Sequence, residues 1–219
     1  MLTFETVRND STVKVYIELA NESLRALGYT EHSFPHVMKV ADTASRILLS
    51  LGYGERDAEL ARIAGYLHDI GNLVNRSEHA QSGAVMAFQI LNAMGGDPAE
   101  IAAIVTAIGN HDEGTAEAVN PIAAALILAD KTDVRRNRVR NPDPKAFDIH
   151  DRVNYAVTES KTAINVEEKC VSLTLTVDTQ LCAVMDYFEI FLGRMTLCRK
   201  AAAKLGLQFR LIINGQRML

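Results

Sequence analysis

A chain of 219 residues, 48% of them hydrophobic and 23% charged, is long enough for one substantial core, or for a main unit with a smaller second one. Its net charge of −4 argues against a dedicated nucleic-acid binder, which carries a basic surplus. Its longest apolar run is far short of a membrane span.

Taken in order, Asp10 and Ser11 can cap a first helix that reaches about Leu27 and stops at Gly28. A second helix is expected from about Ser33 to Leu51, with Pro35 in its first turn, where a missing N–H costs nothing. A third spans about Glu55 to Ile70, closed by Gly71, and a loop follows over Asn72 to Glu78. The fourth runs from His79 to Met94 and ends at Gly95-Gly96. Asp97-Pro98-Ala99-Glu100 supplies a cap, a first-position proline and an acidic first turn for a fifth helix ending near Asp112. Asn120-Pro121 repeats the device for a sixth, through about Arg136. Asn141-Pro142-Asp143-Pro144 then interrupts regular structure.

Beyond that linker the period changes. Val171, Leu173, Leu175 and Val177 alternate with Ser172, Thr174 and Thr176, the pattern of a half-buried strand. Val153 to Val157 is a weaker strand candidate. Asp178 and Thr179 can cap a long helix through Leu205, and Gln208 to Ile213 reads as a short strand before the Asn214-Gly215 turn. The expected architecture is mainly α: a helical unit over 1–145 and a small β-β-α-β appendage over 146–219, with short antiparallel strands and one long helix. An open sheet edge there could pair across a homodimer. The stripe Met185, Phe188, Phe191, Leu192, Met195 reads as a core face. Cys170, Cys182 and Cys198 fit no zinc spacing or disulfide frame and suit buried thiols in a reducing compartment. With an acidic N-terminus unlike a signal peptide, the expectation is a cytoplasmic protein.

The chemistry concentrates in the helical unit. His36 shares a helix face with Val40, Ala44 and Ile47. His68 stacks over Ala61 and Gly65, small residues that leave room for another helix or a ligand. His79 lines up with Gly83, Met86 and Ile90, and His111 continues the stripe Ile101, Ile104, Val105, Ile108. Asp130 ends the unbroken apolar run Ile122 to Ala129, and a carboxylate so placed needs a partner, for which a metal cation is well suited. A lone inward histidine is usually a satisfied core residue; several helices aiming His or Asp inward is the pattern of a metal site. His32 and His150 lack that context and read as surface or packing residues.

The ordered set His36, His68-Asp69, Asp130, with the local text His36-Val37-Met38-Lys39-Val40-Ala41 and Leu67-His68-Asp69-Ile70-Gly71, resembles the HD-domain superfamily of metal-dependent phosphohydrolases. The resemblance runs from Thr30 to Arg136. The segment His79-Ala80-Gln81-Ser82-Gly83-Ala84 is most similar to small bacterial members that cleave dinucleoside polyphosphates. The branch that hydrolyses cyclic dinucleotides is less similar: it carries a lysine where this chain has Asn72, a His-His pair where this chain has His111-Asp112, and a Gly-Tyr-Pro signature absent here.

The resemblance implies a helical HD bundle in which His36, His68, Asp69 and Asp130 hold one divalent metal. His79 and His111 would hold a second, with Asp69 as the bridge. Iron, manganese, nickel or zinc suit such donors, and magnesium is an alternative. His68 and Asp69 are the expected catalytic pair, with a metal-bridged hydroxide attacking a phosphate ester or anhydride of a nucleotide. A nucleotide-holding sensor without turnover is the alternative. Around the site, Asn72 could touch a phosphate oxygen or serve a loop role. Lys131 could balance phosphate charge or be a solvated surface lysine. Arg135, heading the run Arg135-Arg136-Asn137-Arg138-Val139-Arg140, could bind nucleotide phosphates or lie on a solvated face. Asp112 could serve as a second-layer partner, a general acid or a cap.

Overall fold

The computed structural model describes residues 2–219, with the side chain of Ala146 left undescribed. Seven helices build the N-terminal body: α1 (Phe4–Asn9), α2 (Ser11–Ala26), α3 (Phe34–Ser50), α4 (Glu55–Leu67), α5 (His79–Ala93), α6 (Pro98–Gly109) and α7 (Pro121–Lys131). Their starts follow the capping logic of the sequence. Asp10 accepts from the Val13 amide, Asp97 from those of Ala99 and Glu100, and Asn120 from that of Ala123. Helix α7 is apolar and buried on every side from Ile122 to Ala129. It is therefore the central post, in contact with α3, α4, α6 and α9 (Val184–Lys204).

Two glycines set the spacing around that post. A Cβ on Gly65 would lie 2.7 Å from the Ala41 Cα, so its absence lets α4 cross α3 backbone to backbone. A Cβ on Gly71 would lie 2.0 Å from the His79 carbonyl oxygen and 2.4 Å from the Gly83 nitrogen. The segment after α4 thus lies directly on the first turn of α5.

Several elements depart from expectation. The helix begun at Glu55 stops at Leu67, not Ile70, and a 3-10 turn over Ile70–Leu73 replaces part of the expected loop. Helix α7 stops at Lys131 rather than Arg136: the Thr132 hydroxyl donates to the Leu128 carbonyl, competing with the helical ladder. The segment Val153 to Val157 is not a strand. Asp148 caps α8 (Ile149–Ala156), and β1 (Val157–Asn165) begins only after it. The long helix starts at Val184 because Leu181 and Cys182 donate to the Asp178 carbonyl and hold a turn there. Helix α1 precedes the first expected helix: Thr3 caps it by accepting from the Thr6 amide, and Phe4 and Val7 are its buried residues.

The C-terminal unit is the expected α+β appendage. Strands β1, β2 (Cys170–Val177), β3 (Gln208–Ile213) and β4 (Gln216–Arg217) form one sheet in that order. The outer pairs are antiparallel, but β2 and β3 run parallel, with Leu173 opposite Leu211. The expected antiparallel pairing fails here because α9 carries the chain back to the start of the sheet, as a parallel crossover requires. Of the apolar stripe on α9, Phe191 and Met195 are buried, whereas Met185 and Leu192 are exposed; Tyr187 takes their place in the core. The three cysteines are buried and free. Among the described residues no helix is long and apolar enough to cross a membrane.

Candidate metal centre

Six candidate donor side chains lie near one another, from five segments: His36 on α3, His68 and Asp69 in the turn after α4, His79 at the head of α5, His111 just past α6, and Asp130 in the last turn of α7. All four histidines and Asp69 are buried, and Asp130 is nearly so.

The far nitrogen of each imidazole is fixed. His68 Nδ1 donates to the Gly65 carbonyl (2.8 Å), His79 Nδ1 to that of Arg76 (3.1 Å) and His111 Nδ1 to that of Ile108 (2.6 Å). All three acceptors lie three residues back, so each of these histidines carries its own orienting group. His36 is the exception. Its Nδ1 donates to the carboxylate of Asp133 at 2.8 Å, across the fold. With Nδ1 as the donor, the neutral form of each ring presents its lone pair at Nε2, the arrangement a metal-binding histidine needs.

Those lone pairs converge. His36 Nε2 lies 3.3 Å from His68 Nε2, 3.5 Å from Asp69 Oδ2 and 3.5 Å from Asp130 Oδ1. His68 Nε2 lies 3.1 Å from Asp69 Oδ2 and 3.7 Å from Asp130 Oδ1. Ligand atoms about 2.0–2.2 Å from a common metal stand roughly 3.0–3.6 Å apart, so the spacing matches a first coordination shell. Asp69 Oδ2 is buried and accepts no hydrogen bond. Four acceptors facing one point is unfavourable unless a cation lies among them. The residues fit a divalent metal.

Without a metal, protons balance this charge. Burial pushes the His68 imidazole down, but Asp69 and Asp130 outweigh it and raise its pKa to about 10. His36 is also raised, its carboxylate neighbours overcoming burial and the charge of Arg138. Asp69 and Asp130 are held well below the carboxylate range despite burial, Asp69 chiefly by His68 and Asp130 chiefly by Lys131. His79 and His111 shift the other way. Burial lowers both, His111 to about 3 with help from the charge on His68.

Asp133 gave no sequence signal, because a helix continued to Arg136 would have made it one more polar helix residue. It is fully buried and holds His36 Nδ1, Lys39 Nζ (2.9 Å) and the Arg135 fork (2.6 and 2.9 Å). Arg135 is therefore spent on Asp133 and does not line the cavity above the metal nest. Asn72 is spent too: its amide donates to the Asp69 carbonyl (2.9 Å) and to Asp69 Oδ1 (3.0 Å). Lys131 is buried, not solvated, with Nζ 2.7 Å from Asp130 Oδ2 and a place in the cavity wall.

That cavity holds about 580 Å³. Asp69, His79, His111 and Asp130 reach its floor, and its cationic lining comes from Arg76, Lys131, Arg138 and Arg194. Asp112 is at the floor's edge, 3.9 Å from His79 Nε2. His32 and His150, set aside on sequence, both line it, His32 edge-on to His36 with centroids 5.3 Å apart. The appendage carried no recognisable chemistry in the sequence, yet Ile190, Phe191 and Arg194 of α9 close one side. Arg194 is held there by Glu113 at 2.7 Å and stacks on Phe191.

The family model of the HD domain matches residues 34–151, more than half of the chain and all six donors. This chain belongs to the HD-domain family. Membership in it supports a metal-dependent hydrolase, in keeping with the donor set. An uncharacterized protein of Methanocaldococcus jannaschii is 29% identical over 173 residues, 68% of this chain and 66% of its own length. The match thus spans just under two thirds of that relative. A crystal structure described as a predicted HD superfamily hydrolase, from an uncultured Thermotogales bacterium, aligns at 25% identity with a TM-score of 0.45, over 62% of this chain and 75% of that one. Residues after 151, including the α9 wall, lie beyond the matched HD segment.

Proposed function

We propose that this HD-domain protein is a metal-dependent phosphohydrolase acting on a nucleotide or another small phosphate ester or anhydride. The observation that carries the reading is the converging set of Nε2 lone pairs around the orphan Asp69 Oδ2, at the floor of a cavity lined with cations. A divalent metal bound there would lower the pKa of a coordinated water and neutralise charge on phosphoryl oxygens.

The chain's own residues supply the rest. His36, His68, Asp69 and Asp130 would hold the metal, and Asp133 and the Gly65 carbonyl keep the first two imidazoles in register. Lys131, Arg138 and Arg194 put positive charge on the cavity wall, which favours a substrate with several negative oxygens. Asp112 sits at the cavity edge, and despite burial the charges of Lys131 and His79 hold its carboxyl below the ordinary range, so it stands there as a proton acceptor. The dinucleoside polyphosphates, suggested by the text around His79, belong in any substrate panel.

The test pairs elemental analysis of protein purified without chelator with phosphate release from mononucleotides, dinucleoside polyphosphates and simple phosphate esters. Asp69→Ala should lose both metal and hydrolysis. Full activity in that variant would refute the proposal. Metal-loaded protein that binds nucleotides but releases no phosphate from the panel would favour the sensor reading instead.

A further inference from the structure

The two oxygens of Asp69 live in different surroundings. Oδ2 faces His36 and His68 and accepts no hydrogen bond. Oδ1, the atom that would bridge to a second metal, accepts the Asn72 amide at 3.0 Å. The Asn72 carbonyl oxygen accepts from Arg76 Nη1 at 3.4 Å, and the same Nη1 lies 3.3 Å from His79 Nε2. His79 Nε2 in turn stands 3.5 Å from Asp69 Oδ1. The four side chains close a ring, with a fixed cation against the nitrogen that would ligate a second metal.

The donor geometry agrees. Among the described residues, two triads have ligand atoms all within 4.8 Å of one another: His36, His68, Asp130 and His68, Asp69, His111. They share His68, and His79 belongs to neither. The Arg76 side chain is braced by the ring of Tyr29, 5.4 Å from its centroid, and the fork lines the cavity. A guanidinium there supplies positive charge and directional N–H donors without an ion.

We infer that this centre holds one metal, and that the Arg76 guanidinium takes the second cationic position, excluding an ion from His79 and facing the substrate phosphate. The inference rests on the hydrolase reading and narrows its metal count from the two that the family resemblance implies. It makes His79 a positioning residue for Arg76 rather than a ligand.

Metal content settles it without reference to turnover. The full chain is saturated with Mn(II), desalted and measured by mass spectrometry, with the paramagnetic resonance signal separating isolated ions from coupled pairs. One ion per chain with an isolated signal is expected for the native protein and for His79→Ala. Arg76→Ala, or Arg76→Gln if the smaller residue fails to fold, should admit a second ion and give a coupled signal. Two ions in the native protein, or loss of an ion in His79→Ala, would overturn the inference and leave the hydrolase reading standing. So would Arg76 variants that stay at one. A native chain that takes up no metal would overturn both.

Discussion

The floor and the wall of the cavity are built on opposite plans. On the floor, each imidazole is locked from behind, three of the four by a carbonyl in the preceding turn, and every donor lies within the segment shared with the family. The wall draws on helix ends, loops and α9, a helix that belongs to the appendage, and its Arg194 is held by a single acidic partner, Glu113. On the function proposed above, the floor would hold the metal and the wall would select what is brought to it. A floor change should therefore move metal affinity, and a wall change substrate affinity, with little crossover.

The sharpest test of the floor is its one non-local lock. Asp133→Asn removes the charge that orients His36 while keeping its size. It should weaken metal binding by about 10–100-fold, the usual effect of losing an outer partner of a ligating histidine, as measured by competition with a chromophoric chelator. Unchanged affinity would mean that His36, like the other three, is oriented locally.

The next effect is in pH. In the metal-free protein His68 keeps its proton up to about 10, so a metal must displace that proton at neutral pH. Affinity should rise with pH by about tenfold per unit for one proton released, flattening above the His68 value. Calorimetry in two buffers of different ionisation enthalpy would count the protons, and a count near zero would contradict the charge balance described. The sign for stability is the reverse. The His68 value is raised above its ordinary 6.5, so its contribution to the metal-free fold is present below that value and is lost as pH rises through about 10.

The smallest effect belongs to the wall. Arg194→Ala leaves every metal donor and its lock in place. It should raise KM for a phosphate substrate about three- to tenfold, as for one partly exposed charged hydrogen bond of about 1 kcal/mol, with metal content unchanged. A lost metal in this variant would erase the distinction between floor and wall.

The same contrast explains what could be read in the sequence. The inward placement of His36, His68, His79, His111 and Asp130 was legible because each closes or shares a helical apolar stripe, and helix faces follow from spacing alone; Asp69 came with the His-Asp pair of the family text. Asp133 was not, since its burial depends on α7 ending at Lys131, a choice made by the Thr132 hydroxyl. The partners of Asn72 and Arg135 were not legible for a related reason. Their polar groups are consumed by buried carboxylates that no local pattern places beside them. The α9 wall was invisible because it depends on how the appendage packs against α7, which is tertiary contact rather than period.

The position of the donors has a consequence for the fold as a whole. His36, His68 and Asp130 come from segments far apart in the chain, and the three cysteines form no cross-link. An ion among those donors is therefore a cross-link in its own right, closing long loops that only packing otherwise holds shut. At free metal about a hundredfold above the dissociation constant, that clasp adds about 2.7 kcal/mol to the native state. The bundle's resistance to unfolding thus becomes a readout of metal supply.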